Sequence, residues 1–178
     1  MAENLNYDVP NNITDVCYND EPDNCDIYGK LYDWATAMDL PSICNTSTCS
    51  NKVISKHQGI CPSGWHIPNY IEWNNLIDYV ETPGICTECA GKKLRTESLW
   101  STTNGTYIAG TDDYGFAALP GGSYTSIFSN LSVGGSWWDS GNDNNSFAYL
   151  WFMTNYMANT QRANNTKTFR YSVRCVKD

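Results

Sequence analysis

Residues 61–73, "CPSGWHIPNYIEW", decide how this chain is read. A cysteine, a Pro/Gly turn, a histidine and the start of a helix crowd together here. Such a cluster is either a metal or catalytic centre or a structural clasp that supports a surface made elsewhere. The residues fit a clasp. Pro62 and Gly64 turn the chain, Trp65 and Ile67 have apolar bulk to bury, and Pro68 sets the approach to a helix. Asn69 can cap that helix, and Glu72, three residues on, can reach back to the free cap amide. Trp73, Leu76, Ile77 and Val80 then follow at i, i+3, i+4 and i+7, a stripe that must face a core. His66 is read as a hydrogen-bonded structural residue. The chain holds only one other histidine, His57, and no HxxH or HExxH pair that would make a metal or base role the simpler choice.

Upstream of the clasp, the first thirty residues are polar and read as an extended edge strand followed by a loop, with Cys17 and Cys25 close enough to staple it. In "KLYDWATAMDL" (30–40), Leu31, Trp34, Ala35 and Met38 fall at helical spacing, and Pro41 ends the helix. Downstream, "CAGKKLRTES" (89–98) reads as a second short helix after the clasp, with Leu94 inward. After Trp100 the texture changes to Gly, Ser, Thr, Asn and aromatics. The runs "GFAAL", "GGSWW", "SFAYLWFMT" and "TFRYSVRCV" read as strands separated by turns. Helices followed by strands make an α+β domain and not a parallel α/β fold. There is no internal repeat or linker, so residues 1–178 read as one domain, long enough to bury about 70% of its unfolded surface.

The formal net charge of -8 and the scattered Lys and Arg residues exclude a nucleic-acid partner, which needs a dense basic face. No run of about 18 apolar residues exists to insert in a membrane. The first ten residues, "MAENLNYDVP", lack the basic start and apolar run of a signal peptide. The eight cysteines, at 17, 25, 44, 49, 61, 86, 89 and 175, form an even set. Disulfides fit them better than zinc, because the x4 spacing of "CNTSTC" and the x2 spacing of "CTEC" do not repeat. A thioredoxin-like role for "CTEC" lacks the preceding buried strand.

The stretch 137–165 carries the binding candidates. In "SFAYLWFMTNY" both alternating faces are apolar, so either both are buried or one displays aromatics to a partner. Trp73 and Phe116, with part of Trp137/Phe147, are expected in the core. Aromatics beside amide side chains suit sugar stacking or protein hot spots. The expected ligand contacts are Trp138, Asp139, Asn142, Asn144 and Tyr149, with Trp151, Asn155, Tyr156, Arg162 and Asn164. Of these, Trp138, Tyr149, Trp151, Asn155 and Tyr156 are expected at the surface. "WWDSGNDNNS" (137–146) also gathers oxygen donors of the kind calcium takes, foremost Asp139 and Asp143, and "GTDDYG" adds Asp112 and Asp113. Neither has EF-hand spacing, and Asx-rich turns often need no metal; no other cofactor is expected. No GxSxG elbow supports nucleophilic catalysis. Sequons at Asn12, Asn45, Asn104, Asn130, Asn144 and Asn164 follow from the Asn/Ser/Thr-rich composition.

"YGKLYDWATAM", "CPSGWHIPNYIEWNNL", "GTDDYGFAALPGGSY" and "YSVRCVKD" together resemble the Fibrobacter succinogenes major paralogous domain, in matching order over nearly the whole chain. That family looks related to the formylglycine-generating-enzyme-like branch of the C-type lectin fold, to which "GWHIPNYIEWN" and "GGSWW" are similar. The resemblance implies a disulfide-stapled C-type-lectin-like fold: two or three short helices plus a twisted antiparallel sheet with long loops. It also implies an excised piece of an exported or cell-surface protein with no established catalytic activity. In such folds a long-range bridge ties the helical half to the last strand, which implies Cys61–Cys175. Cys17–Cys25, Cys44–Cys49 and Cys86–Cys89 are then left as local pairs. The sugar-binding lectin signatures are absent, and the cysteine chemistry of the oxidase relatives would need a free thiol in the C-terminal half. The Asn-, Tyr-, Ser- and Thr-rich tail is also similar to the segments that diversity-generating retroelements vary. The expected function is therefore a non-catalytic extracellular binding module for a polysaccharide or a protein on another cell. The alternatives are a formylglycine-generating-type oxidase and a structural surface-coat protein.

Overall fold

The computed structural model describes residues 3–10, 14–82, 86–103 and 106–178; the sequons at Asn12 and Asn104 lie outside them. Among the described residues, four short α-helices occupy the first half: α1 (Pro22–Tyr28), α2 (Trp34–Ala37), α3 (Tyr70–Val80) and α4 (Ala90–Leu94). Strand β1 (Trp65–His66) lies before α3. Then come β2 (Gly121–Tyr124), β3 (Phe128–Leu131), β4 (Gly134–Asn142), β5 (Phe147–Thr154), β6 (Gln161–Thr166) and β7 (Val176–Lys177). The chain is α+β. None of its described helices is long and apolar enough to cross a membrane.

The clasp reads out as its residues require. Asn69 Oδ1 accepts from the N–H groups of Ile71 and Glu72, while Glu72 Oε2 accepts from the Asn69 N–H, so the capping box closes and α3 starts. His66 is buried between two carboxylates, with Nδ1 2.7 Å from Asp178 Oδ1 and Nε2 2.7 Å from Glu72 Oε1. Strand β1 pairs antiparallel with β7, and the Cys61–Cys175 disulfide lies beside that pairing. Cys17–Cys25, Cys44–Cys49 and Cys86–Cys89 are bridged as well.

Strand order in the main sheet is β3-β2-β4-β5-β6. It is mixed and not purely antiparallel, because β2 runs parallel to β4 through the Gly122–Gly135 pair. Side chains alternate along β4 and β5, and both faces are covered. Trp138, Ala148 and Leu150 pack with Tyr32, Trp34, Met38 and Val173 in one core. Trp137, Trp151 and Met153 pack with Trp73, Val80, Leu94 and Trp100 in the other. The doubly apolar pattern of β5 therefore marks a sheet buried on both sides.

Four expectations are corrected. The extended start at residues 3–10 makes no strand; it is tied down by single contacts such as Leu5 N–H to Val173 O at 2.8 Å. α1 forms where a loop is expected, because Pro22 sits at its first turn and Gly29 (φ 73°) ends it; its buried side is only Cys25 and Tyr28, too sparse to read as a stripe. "GFAAL" gives one bridge, Arg95–Ala118, since Ala117 takes a positive φ of 52° that no strand tolerates. "TFRYSVRCV" threads through the fold as isolated bridges from Arg170, Tyr171 and Ser172 before β7.

Candidate functional site

At the β4–β5–β6 end of the sheet, an aromatic ladder rises from the core to the surface. Trp73 stacks on Trp151 at 5.6 Å, Trp151 on Tyr70 at 6.2 Å, and the Arg162 guanidinium lies 4.5 Å from the Tyr70 ring and 3.7 Å from the Tyr149 ring. Register explains the assembly. Trp151 pairs with Arg162 and Tyr149 with Asn164, so all four side chains share one sheet face. Tyr70, one helical turn before Trp73 on α3, reaches the same place and is half exposed. The Ser140 N–H donates to Pro68 O at 3.0 Å, which ties the start of α3 to β4.

A bulge supplies the polar part. Between the pairs Trp138–Leu150 and Asn142–Ala148, residues 139–141 of β4 oppose Tyr149 alone. The bulge folds Asp139 inward, where its Oδ1 accepts from the Gly141 N–H at 2.7 Å and its Oδ2 from Arg162 Nε at 3.0 Å. Burial raises the Asp139 pKa, opposed chiefly by the Arg162 charge. Among the described residues, only Nε of Arg162 donates to a protein acceptor, which leaves its terminal nitrogens for another partner. On the rim, Asp143 accepts from the Tyr149 hydroxyl (2.9 Å), Asn164 Nδ2 (3.0 Å) and Asn144 Nδ2 (3.2 Å). The Asp143 hydrogen bond raises the Tyr149 pKa. The result is an exposed surface with two phenol rings, a guanidinium edge, a carboxylate and two amides.

Of the ten expected contacts, the structure brings together Asp139, Asn144, Tyr149, Arg162 and Asn164, with Trp151 buried beneath them. Asn142 is partly buried on β4 as the bulge ends. Three surface expectations are overturned. Trp138 is fully buried, its indole N–H donating to Tyr32 O at 2.8 Å. Trp151 is buried because the sheet is covered on both faces. Asn155 is fully buried, its amide donating to Ser101 O at 2.7 Å to hold a loop. Tyr156 is exposed but sits apart, on a cleft it lines together with Gly122, Asn130 and Thr154. Of Trp137 and Phe147, expected to contribute in part to the core, Trp137 is fully buried and Phe147 is 40% exposed at the start of β5. Tyr70 was not among the expected contacts. Its position one turn ahead of the buried stripe is the signal for it.

The carboxylates considered for calcium each hold other partners: Asp139 the Arg162 guanidinium, Asp143 the Tyr149 hydroxyl and two amides. Among the described residues, no three His, Cys, Asp or Glu side chains converge as a metal group. No curated protein and no solved structure matches the chain. A family model does match, over residues 1–177, and the chain belongs to the Fibrobacter succinogenes major domain family.

Proposed function

We propose that the chain is a non-catalytic binding module with a C-type-lectin-like fold, working outside the cell, that grips a neutral polysaccharide through Tyr70, Tyr149, Arg162, Asp143 and Asn164. The observation that carries this reading is the solvent-facing contact of Arg162 with two tyrosine rings, rimmed by a carboxylate and amides. Sugar rings offer C–H faces to stack on aromatics and hydroxyls that both donate and accept. The cluster provides for each: ring faces, guanidinium donors and carboxylate acceptors. A protein net charge of -8 favours an uncharged polymer over an acidic one.

Four disulfides support an oxidising compartment. A formylglycine-generating type of oxidase would need a free thiol in the C-terminal half, and Cys175, the one cysteine there, is bridged to Cys61. Retroelement diversification of this chain would tune the ligand through positions such as Tyr149 and Asn164. The test is a screen of neutral oligosaccharides followed by calorimetric titration of the best ligand. Tyr70→Ala and Tyr149→Ala should each weaken binding about tenfold, as expected for aromatic contacts that anchor a ligand. Unchanged affinity in both variants removes the site.

A further inference from the structure

Another flank of α3 carries a separate feature, a cleft of about 210 Å³ lined by Pro68, Trp73, Leu76, Phe116, Arg174 and Val176. Its walls are apolar except for the buried Arg174 guanidinium and, at one side, the partly exposed Glu72 carboxylate. Arg174 is 3% exposed, with its guanidinium 4.3 Å from the Phe116 ring. It donates to the carbonyl oxygen of Phe116, to Ala117 O at 3.0 Å and to Asn4 Oδ1 at 3.1 Å, and its Nε has no partner. Among the described residues, no carboxylate pairs with it. Glu72 also borders the cleft, but its two oxygens are taken by His66 and by the Asn69 amide, fixing its charge on the clasp.

A cation taken out of water with no carboxylate at ion-pair distance is costly, and burial pulls the Arg174 pKa downward, only partly offset by the charges of Asp112 and Glu3. An anion entering the cleft would recover that cost through a charge-assisted hydrogen bond. The walls add a shape requirement. Trp73 and Phe116 meet edge to face at 5.9 Å, a surface that receives a further ring. The volume suits a ring with a short substituent and falls below that of clefts for drug-sized ligands. We propose that this cleft is a binding site for a small aromatic carboxylate, its ring against Trp73 and Phe116 and its carboxylate directed to Arg174. The cleft shares Trp73 with the foot of the aromatic ladder but none of the exposed residues of the tyrosine–arginine surface, and it does not depend on the saccharide reading.

Phenylacetate and its neutral analogue phenylacetamide, titrated into the whole chain, test this. Amide resonances of Leu76, Phe116 and Val176 should shift and saturate with phenylacetate, and phenylacetamide should bind at least about tenfold more weakly, the scale of a hydrogen bond to a charged group. Leu76→Trp, which fills the cleft from a partly buried position, should abolish the phenylacetate shifts. Equal affinity for the two compounds overturns the role of Arg174. Shifts that do not saturate, or that fall away from the cleft, overturn the site itself, and both comparisons on the unmodified chain stand whether or not the variant folds.

Discussion

Lys167 Nζ lies 4.5 Å from the centroid of the Trp34 ring, and both side chains are fully buried. The ammonium donates to Asn144 O at 2.8 Å and Asn145 O at 3.3 Å, and reaches Ser47 O at 3.5 Å. The Lys167 N–H also donates to Ser146 O, and the Trp34 N–H to Lys167 O. A cation built into the chain thus gathers the carbonyls of the 143–146 turn. It fixes from below the loop that presents Asp143 to the candidate site.

Lys167→Met keeps much of the stem but orphans those carbonyls and removes the cation–π contact. The expected cost is about 2–4 kcal/mol in urea unfolding. Amide exchange at residues 144–147 should accelerate beyond what that global loss explains. Exchange unchanged relative to the rest of the sheet would show that the turn holds itself.

Asp139 gives a pH test with a defined sign. Burial raises its folded pKa above the ordinary 3.8, so near that pH the folded state binds more protons than the unfolded one. Stability contributed by this group is therefore present below 3.8 and lost as pH rises through the folded value. Asp139→Asn carries no such charge, so its stability relative to the parent should improve across that acid interval and level off above it. A difference independent of pH would mean that the Arg162 charge cancels burial completely.

The clasp was the most legible part of the chain. Asn69, Glu72 and the stripe from Trp73 to Val80 encode α3 by local chemistry, and the capping box forms with those residues. Parallel pairing of β2 with β4 left no local mark, since it depends on Gly122 and Gly135 meeting after the chain has passed through β3. The site was half legible for a related reason. Composition located Tyr149, Arg162 and Asn164, but which of two adjacent tryptophans faces which core is a matter of register. A one-residue slip exchanges the faces of every side chain. The bulge at 139–141 and the approach of Tyr70 are likewise tertiary facts.

Cys86 and Cys89 form the bridge in which both cysteines are partly exposed; in Cys17–Cys25 only Cys17 is, and Cys44, Cys49, Cys61 and Cys175 are buried. Thiol–disulfide exchange requires access to the attacked sulfur. Brief treatment with mild reductant, followed by alkylation and mass mapping, should label Cys86 and Cys89 first and leave Cys61 and Cys175 for last. Because Glu81 Oε1 also accepts from the Cys89 and Ala90 amides at 2.9 Å, α4 should keep its start after that reduction. Early labelling of Cys61 or Cys175 would contradict the burial order.

The long bridge and a short one separate two sources of stability. Cys61–Cys175 spans 114 positions, Cys44–Cys49 only 5, and all four cysteines are buried. In the chain-entropy model, the first restricts the unfolded chain by about 5 kcal/mol and the second by about 2 kcal/mol. Replacing each pair by alanine removes similar native packing, so the difference between the two costs reports on the unfolded chain. Urea unfolding should show the Cys61→Ala/Cys175→Ala variant less stable than Cys44→Ala/Cys49→Ala by about 2–3 kcal/mol. The long-bridge variant should also raise the m-value, because its unfolded state expands further. Equal costs with equal m-values would place the stabilisation in native packing around the bridges; the β1–β7 pairing and the His66 contacts to Glu72 and Asp178 would then hold the clasp without sulfur.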